Sequence, residues 1–228
     1  MGTCDNPPYL IQTARYGVIP GMKLFTATAL LLTMCLGAAA PVRASTDRVV
    51  LAGGCFWGMQ LVFGSLRGVD RVVAGYAGGN ADTAQYETVS TGTTGHAESV
   101  EIRYDPSKIS FKQLLDVYFL VAHDPTELDR QGPDEGSQYR SEIFYTSSAQ
   151  RAEALAYIAH LQQEHVYSSR IVTIVAPLRG FYAAEAYHQD FAVHNPQNPY
   201  IVVNDLPKLK TLRERFPGLV KPNAPFGA

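Results

Sequence analysis

Apolar positions along the chain follow two different spacings, and these spacings predict strands that alternate with helices. Residues 97–104 alternate strictly, with Val100, Ile102 and Tyr104 on one face, which is typical of a strand. Residues 110–123 instead repeat their apolar positions at helical spacing, after Ser110 as a suitable N-cap. We predict strands over residues 49–52, 71–76, 97–104, 138–145 and 171–176. We predict helices over residues 56–66, 110–123, 147–166, 183–193 and 209–216, the third with a capping box at Ser147 and Gln150.

Polar segments and prolines interrupt this pattern in three places. Residues 77–96 and 124–137 are long polar stretches, and loops of such length in compact domains are often functional. The tail beyond residue 194 carries six prolines, so we expect it to wrap irregularly over the surface apart from its helix. The alternation of strands and helices predicts an α/β or α+β fold, and of these we expect the α+β form, a two-layer α/β sandwich in which helices cover a mixed sheet.

The first 45 residues differ from the rest of the chain. From Met22 a lysine and an uncharged apolar run are followed at residues 42–44 by small residues at the spacing that a signal peptidase recognises. We therefore predict a leader over residues 1–45 with a secretory signal peptide, and a single domain over residues 46–228 of an exported protein, periplasmic or secreted. The alternative is an uncleaved membrane anchor, although about 17 apolar residues are marginal for crossing a bilayer.

Composition excludes several classes of function. The net charge of −2 gives no strong electrostatic field, so we predict no nucleic-acid binding. Cleavage of the leader removes Cys4 and Cys35 and leaves Cys55 alone, which excludes disulfide frameworks and zinc sites built on several cysteines. We expect no metal and no cofactor.

Thirteen tyrosines are many for this length and suit a pocket that hydrogen-bonds a neutral polar ligand.

The sequence GGCFWG at residues 53–58 places Cys55 between a predicted strand and a predicted helix. Glycines before the cysteine allow a tight turn and keep the sulfur accessible. A cysteine at a helix N-terminus gains a stabilised thiolate from the helix dipole and the free N–H groups there. Cys55 is therefore a candidate nucleophile, and a buried structural cysteine beside core aromatic residues is the equal alternative.

Further candidates lie in and beside the polar segments. Glu98 is on the apolar face of its predicted strand, where desolvation would raise its pKa and make it a proton donor near neutral pH. A surface or salt-bridged glutamate is the alternative. Tyr86 and Tyr139 could direct hydroxyl groups into a cleft, and Asp134 suits a tight turn. Core tyrosines and ordinary turn chemistry are the alternatives for these three.

Six motifs taken together resemble those of one family, the peptide methionine sulfoxide reductases of the A class. They occur in the order GGCFWG, GYAGG, YETVSTGTTGHAE, HDPT, GSQYRS and AEAYHQDF. The resemblance covers residues 48–216, and the combination of GCFWG, GHAE and QYRS is highly specific. It implies a methionine sulfoxide reductase with a ferredoxin-like core, a mixed β-sheet with helices and a long irregular C-terminal tail.

The resemblance also implies a reaction. Cys55 corresponds to the nucleophile that attacks the sulfoxide sulfur, and Glu98 to the acid that protonates the sulfoxide oxygen. Phe56 and Trp57 correspond to the aromatic residues that hold the substrate's methyl group. A pocket that fixes the methyl, the oxygen and the lone pair accepts one epimer of the sulfur, which in this family is the S form. The substrate is methionine-S-sulfoxide, free or in proteins.

Four more residues acquire expected roles in the same way. Tyr86 and Tyr139 correspond to phenols that hydrogen-bond the sulfoxide oxygen, which adds electrostatic stabilisation. Asp134 corresponds to a further polar member of the site. Tyr200, in the tail, is expected to border the site.

The tail departs from the commoner family pattern because it has no cysteine. Its NDLPK segment is similar to the tail of the single-cysteine subgroup. This implies that the sulfenic acid formed on Cys55 is reduced by an external thiol, for which we predict a thioredoxin-like protein, and we expect a monomer.

Two other interpretations stay open at this point. One is a thiol hydrolase that pairs Cys55 with His96 or His188, and the other is a secreted module that binds a peptide.

Overall fold

The computed structural model describes residues 46–226, and the leader predicted over residues 1–45 lies outside them. The strands in the described part are β1 (Asp47–Gly53), β2 (Val69–Ala77), β3 (Ala97–Tyr104), β4 (Arg130–Gln131), β5 (Asp134–Glu135), β6 (Ser141–Tyr145), β7 (Ile174–Pro177) and β8 (Phe181–Ala183). Six of them form one mixed sheet in the order β7-β6-β1-β3-β2-β8. β4 and β5 form a separate short hairpin.

The four central strands have the arrangement of a ferredoxin-like core. β6, β1, β3 and β2 are neighbours in that order, and every neighbouring pair is antiparallel. Leu51 of β1 pairs with Val100 of β3 on one side and with Ile143 of β6 on the other. β7 extends the sheet parallel to β6, and β8 extends it antiparallel to β2. The predicted α+β fold with a mixed sheet is therefore confirmed.

Helices connect these strands. The α-helices are α1 (Phe56–Gly64), α2 (Tyr86–Val89), α3 (Phe111–Val117), α4 (Ser148–Gln163), α5 (Phe191–His194) and α6 (Leu206–Arg215). Short 3₁₀ turns occur at Ala81–Thr83, Ser137–Tyr139, Ala186–His188 and Pro217–Leu219, and π-helical turns at Tyr118–Ala122 and Ile201–Asp205. Ser110 caps α3 as predicted, because its Oγ accepts from the Gln113 N–H while Gln113 Oε1 accepts from the Ser110 N–H. Within residues 46–226, no helix combines the length and the apolar character needed to cross a membrane.

The main hydrophobic core lies between the sheet and this layer of helices. Val100 and Ile102 of β3 are completely buried there together with Phe63 of α1 and Leu114 of α3. The opposite face of the sheet carries a smaller apolar cluster formed by Val50, Ala52, Ala77, Ala97 and Phe144. The central strands are thus buried on both faces, which gives a rigid platform for the residues that follow β1 and begin β3.

The helix predicted over residues 183–193 is wrong. Phe181–Ala183 is the edge strand β8, and only short helical turns follow it. The side-chain amide of Gln189 bonds to both the N–H and the carbonyl of Ala74 in β2, and Asp190 adopts φ 52°, a left-handed conformation. These bonds to a distant strand replace the helix that the local apolar spacing favours.

Four smaller differences concern two loops, a cap and the start of a strand. The polar stretch 77–96 contains α2, and the stretch 124–137 contains the β4–β5 hairpin. Ser147 Oγ accepts from the Gln150 N–H and caps α4, but Gln150 Oε1 accepts from the Thr146 N–H at 2.8 Å. The reciprocal bond of the predicted capping box is therefore not made. The strand predicted from residue 138 begins at Ser141, because a 3₁₀ turn precedes it.

Candidate active site

The turn between β1 and α1 places Cys55 at the N-cap of α1, as the sequence predicts. Gly54 adopts φ +88°, a left-handed conformation that glycine adopts without steric cost. A Cβ atom at Gly54 would also lie 2.5 Å from Cγ of Gln131, so the turn has no room for a side chain. Cys55 itself is 8 % exposed. The side chain is therefore buried, and the accessible sulfur that the preceding glycines predict is not found in the free protein.

Glu98 of β3 contacts the same end of α1. Its Oε2 accepts a hydrogen bond of 3.0 Å from the backbone N–H of Phe56. Glu98 is 3 % exposed, and this burial raises its pKa to about 8 against the opposing effect of the Phe56 N–H. The nearby carboxyl group of Asp134 raises the pKa of Glu98 further. The Glu98 carboxyl group is therefore mostly protonated at neutral pH, as its place in the strand predicts.

The protonation state of Cys55 differs from the prediction. Burial raises the pKa of the Cys55 thiol well above its usual value. The carboxyl groups of Glu98 and Asp205, and more weakly that of Asp134, raise this pKa further. The backbone N–H of Trp57 lowers it only in part. The predicted thiolate is therefore wrong for the free protein, because acidic groups surround the sulfur and one of them takes the first N–H of the helix.

Phe56 and Trp57 form an aromatic wall together with residues that lie far away in the sequence. The Trp57 indole stacks on Phe191 with ring centres 3.9 Å apart, and it meets Tyr200 edge-on at 5.9 Å. Its Nε1–H donates to Nδ1 of His188 at 3.1 Å. Phe56 is buried, and its ring centre lies 5.0 Å from that of His188. Phe191, Tyr200 and His188 therefore all contact the Trp57 indole, and His188 also contacts Phe56.

Phenol groups and Asp134 complete the site. The Tyr200 hydroxyl donates to Oδ2 of Asp134. Burial raises the pKa of Tyr139, and the carboxyl groups of Glu98 and Asp134 raise it further. Burial and the charge of Glu98 likewise raise the pKa of Tyr86. Hydrogen bonds and ring contacts therefore connect Phe56, Trp57, Tyr86, Glu98, Asp134 and Tyr200, directly or through His188. Tyr139 is linked to the site only by its electrostatic interaction with the two carboxyl groups.

Several charged groups that contact the site residues are not predicted from the sequence. Asp205, directly before α6, is completely buried, and its Oδ1 lies 3.2 Å from Nζ of Lys208. Oδ2 of Asp205 has no hydrogen-bond partner within residues 46–226. Oε1 of Glu185 accepts from the backbone N–H of Tyr86 at 2.9 Å. The NDLPK segment contains Asp205 and Lys208, but no local pattern indicates that they approach the start of α1.

The two histidines considered as bases of a thiol hydrolase have other partners. Nδ1 of His96 accepts from the Gly79 N–H at 3.2 Å, and its Nε2 donates to the Asn80 carbonyl at 2.9 Å. Nδ1 of His188 accepts from the indole, as described above. In the part of the chain that the structure describes, neither histidine is hydrogen-bonded to Cys55. The geometry gives no support to a hydrolase.

Comparison with known proteins identifies the family. The family model for peptide methionine sulfoxide reductase matches residues 47–218. The chain belongs to this family. Peptide methionine sulfoxide reductase MsrA 2 of Mesorhizobium japonicum is 55% identical to it, over 76% of this chain and 89% of the relative. MsrA 2 of Synechocystis is 48% identical, over 77% of this chain and 82% of the relative.

Solved structures agree with this assignment. Mxr1 from Saccharomyces cerevisiae in reduced form has a TM-score of 0.64 and 34% identity, and the match covers 68% of this chain and 88% of Mxr1. Methionine sulfoxide reductase A of Corynebacterium diphtheriae has a TM-score of 0.64 and 33% identity, over 69% of this chain and 78% of its own. The protein is therefore an enzyme that reduces methionine sulfoxide through a cysteine-based mechanism, and the hydrolase and binding-module interpretations are not favoured.

Gly58, in the first turn of α1, provides a test of the contact between this helix and the tail. A Cβ atom there would lie 2.1 Å from Oδ1 of Asp205. Gly58→Ala is therefore expected to destabilise the reductase by roughly 1–3 kcal/mol through overpacking, although alanine favours helix. Gly64→Ala in the same helix is the control, because nothing lies within 4 Å of its Cβ, and it should not destabilise. Urea unfolding of both variants measures the difference, and equal stabilities would contradict the contact.

Proposed function

We propose that this reductase acts on the S epimer of methionine sulfoxide, free or in proteins, with Cys55 as nucleophile and Glu98 as proton donor. The observation that carries the proposal is the position of Glu98, a buried acid bonded to the Phe56 N–H directly beside the cysteine. Its raised pKa keeps a proton available where the sulfoxide oxygen would lie. Burial also raises the pKa values of Asp134 and Asp205, but the charge of Lys208 opposes that effect at both carboxyl groups.

The substrate is held by two kinds of contact. The methyl group lies against Phe56 and Trp57, which offer apolar surface next to the sulfur of Cys55. The phenols of Tyr86 and Tyr139 donate to the sulfoxide oxygen on the side where Glu98 lies. These contacts fix the methyl group and the oxygen at once, so only one configuration at sulfur presents its lone pair correctly.

The chemical step transfers one oxygen atom. Glu98 protonates the sulfoxide oxygen while the sulfur of Cys55 attacks the sulfoxide sulfur, and the thiol proton passes to the Glu98 carboxylate that this leaves. The hydroxyl group then moves from the substrate sulfur to the sulfur of Cys55, and the sulfur–sulfur bond breaks to release the thioether. The sulfoxide is reduced by two electrons to the thioether, and Cys55 is oxidised to a sulfenic acid that carries the oxygen. A neutral Cys55 thiol in the resting enzyme fits this reaction, because the thiolate then forms only when the sulfoxide is bound beside Glu98.

Regeneration of Cys55 requires a thiol from outside residues 46–226, because Cys55 is the only cysteine in that range. A first external thiol condenses with the sulfenic acid to a mixed disulfide and releases water, and a second thiol releases reduced Cys55. A thioredoxin-like dithiol supplies both thiols from one molecule. The chain then belongs to the single-cysteine subgroup.

The compartment follows from the leader. We propose that residues 22–44 direct export and are then removed, which leaves an exported reductase with a single thiol. Sequencing the N-terminus of the protein isolated from the periplasm or medium tests this directly. A protein that keeps the leader and sediments with membranes would overturn cleavage and support an anchor.

Single-turnover chemistry tests the proposed function as a whole. The reduced full-length chain, freed of reductant, is mixed with a methionyl peptide carrying the S-sulfoxide, and the R-sulfoxide peptide serves as control. We expect one thioether per chain from the S form only, and one dimedone adduct on Cys55 by mass spectrometry. Dithiothreitol should then allow many turnovers. Equal conversion of the R form would overturn the epimer assignment, and a disulfide of Cys55 within the chain would overturn the external thiol.

A further inference from the structure

His188 lies at the centre of the aromatic wall, although the reaction proposed above assigns it no part. The residue is 2 % exposed. Its ring centre lies 5.0 Å from that of Phe56, 5.8 Å from Trp57, 4.4 Å from Tyr86 and 4.2 Å from Tyr187. It therefore touches both aromatic residues of the methyl pocket and one of the phenols.

The hydrogen bond between Trp57 and His188 defines the state of the imidazole. An indole N–H only donates, so Nδ1 of His188 must accept and carry no proton, and the ring hydrogen is on Nε2. Nε2 is buried and has no hydrogen-bond partner among the described residues. A second proton on His188 would occupy Nδ1 and break the bond to the indole.

The surroundings of His188 favour this neutral state. Burial lowers its pKa, and the charge of Glu185 opposes that effect only in part. The carboxylate of Glu185 is already engaged, because its two oxygens accept from the Tyr86 N–H and the Tyr76 hydroxyl. The other titratable groups that face the imidazole are the phenols of Tyr86 and Tyr187. No carboxylate therefore pairs directly with His188 within residues 46–226.

The hydrogen bond to His188 matters because the Trp57 indole borders a cavity. A cavity of about 90 Å³ lies between the indole and residues that include Gln60, Ala192 and Val193. The stack on Phe191 restricts tilting and Tyr200 meets the indole edge-on, but neither contact is a directional bond that prevents rotation within the ring plane. The directional contact that stops this rotation is the hydrogen bond to Nδ1 of the histidine.

We propose that His188 is a positioning residue that anchors the Trp57 indole through its neutral Nδ1 and thereby sets the width of the pocket for the substrate's alkyl group. The proposal rests on the role of Trp57 proposed above. It predicts that loss of the anchor relaxes the preference for a methyl group, because the freed indole can retreat toward the cavity. One additional methylene in a fitted pocket is usually worth roughly 10–200-fold in discrimination.

Fluorescence of the substrate-free enzyme tests the anchor. Trp57 is the only tryptophan of the chain, so its emission has a single source. In the wild type we expect constant emission near neutral pH and quenching only as the pH falls through the lowered pKa of His188, when the imidazole gains a proton and releases the indole. His188→Phe keeps a ring but no acceptor and should lose this titration. His123→Asn, at a buried histidine bonded to Tyr118 and Ser141, is the control and should retain it.

Kinetics test the consequence for specificity. For His188→Phe we expect an increase of about tenfold in KM for the methyl sulfoxide with a smaller change in kcat. The preference for methyl over ethyl sulfoxide, measured as the ratio of kcat/KM, should fall by about tenfold. His188→Asn, whose amide oxygen replaces the Nδ1 acceptor, should recover much of that preference.

The outcomes separate the anchor from the proposed function. An unchanged fluorescence titration in His188→Phe would overturn the anchor. A lost titration with an unchanged alkyl preference in both variants would overturn the positioning role. Absence of turnover in the wild type would overturn the proposed function instead, and it would leave the fluorescence result intact.

Discussion

Cys55→Ser is expected to remove methionine sulfoxide reduction completely and to leave the fold intact. The reaction places the substrate's oxygen on the attacking atom, which sulfur accepts as a sulfenic acid. A serine hydroxyl in its place would have to become a hydroperoxide, and the weak oxygen–oxygen bond makes that product inaccessible. Because Cys55 caps α1 without a side-chain hydrogen bond, a serine there costs the helix nothing.

The measurement is thioether formation by mass spectrometry in the presence of excess dithiothreitol. Cys4→Ser with Cys35→Ser in the same full-length chain is the matched control, and it should retain full activity because the external thiol replaces any internal one. Urea unfolding of all variants checks that the fold is kept. Measurable turnover by Cys55→Ser would exclude Cys55 as the nucleophile. A large loss in the double variant would show instead that a leader cysteine takes part in the cycle.

The alternation of side chains along β3 allows one part of the site to be predicted from the sequence alone. A strand period of two fixes Glu98 on the same face as Val100 and Ile102, whatever the neighbouring strands are. That face packs against the helices, so burial of the carboxyl group and its raised pKa both follow. The glycines around Cys55 are similarly local, because the left-handed turn at Gly54 needs no distant partner to be recognised.

Other parts of the site depend on contacts that no local pattern contains. His188 reaches Trp57 across 131 residues, and the bonds of Gln189 to β2 convert an apolar segment of helical spacing into a strand and short turns. Asp205 meets α1 only because the tail folds back onto that helix. The raised pKa of the Cys55 thiol escapes prediction from the sequence for the same reason, since the helix dipole is local whereas the surrounding carboxyl groups come from distant segments.

Glu98→Gln should slow the chemical step by about 10²–10⁴-fold, the usual contribution of a general acid, with little change in substrate binding. Glutamine keeps an oxygen that can accept from the Phe56 N–H, so the local structure is retained while the acidic proton is lost. Single-turnover rates of thioether formation measure the step directly. Glu142→Gln, at a buried carboxylate paired with Arg140 on the opposite face of the sheet, is the control and should leave the rate unchanged.

The pH dependence of the same rate distinguishes proton donation from a purely structural role of Glu98. Because its pKa is about 8, the carboxyl group is protonated below that pH and loses its proton above it. The wild-type rate limited by this donor should therefore fall as pH rises through about 8, and Glu98→Gln should lack that decline. For a substrate whose sulfoxide oxygen is more basic, the rate of thioether formation should depend less on the protonation of Glu98. An identical alkaline decline in the wild type and in Glu98→Gln would assign the titration to another group and remove Glu98 as the proton donor.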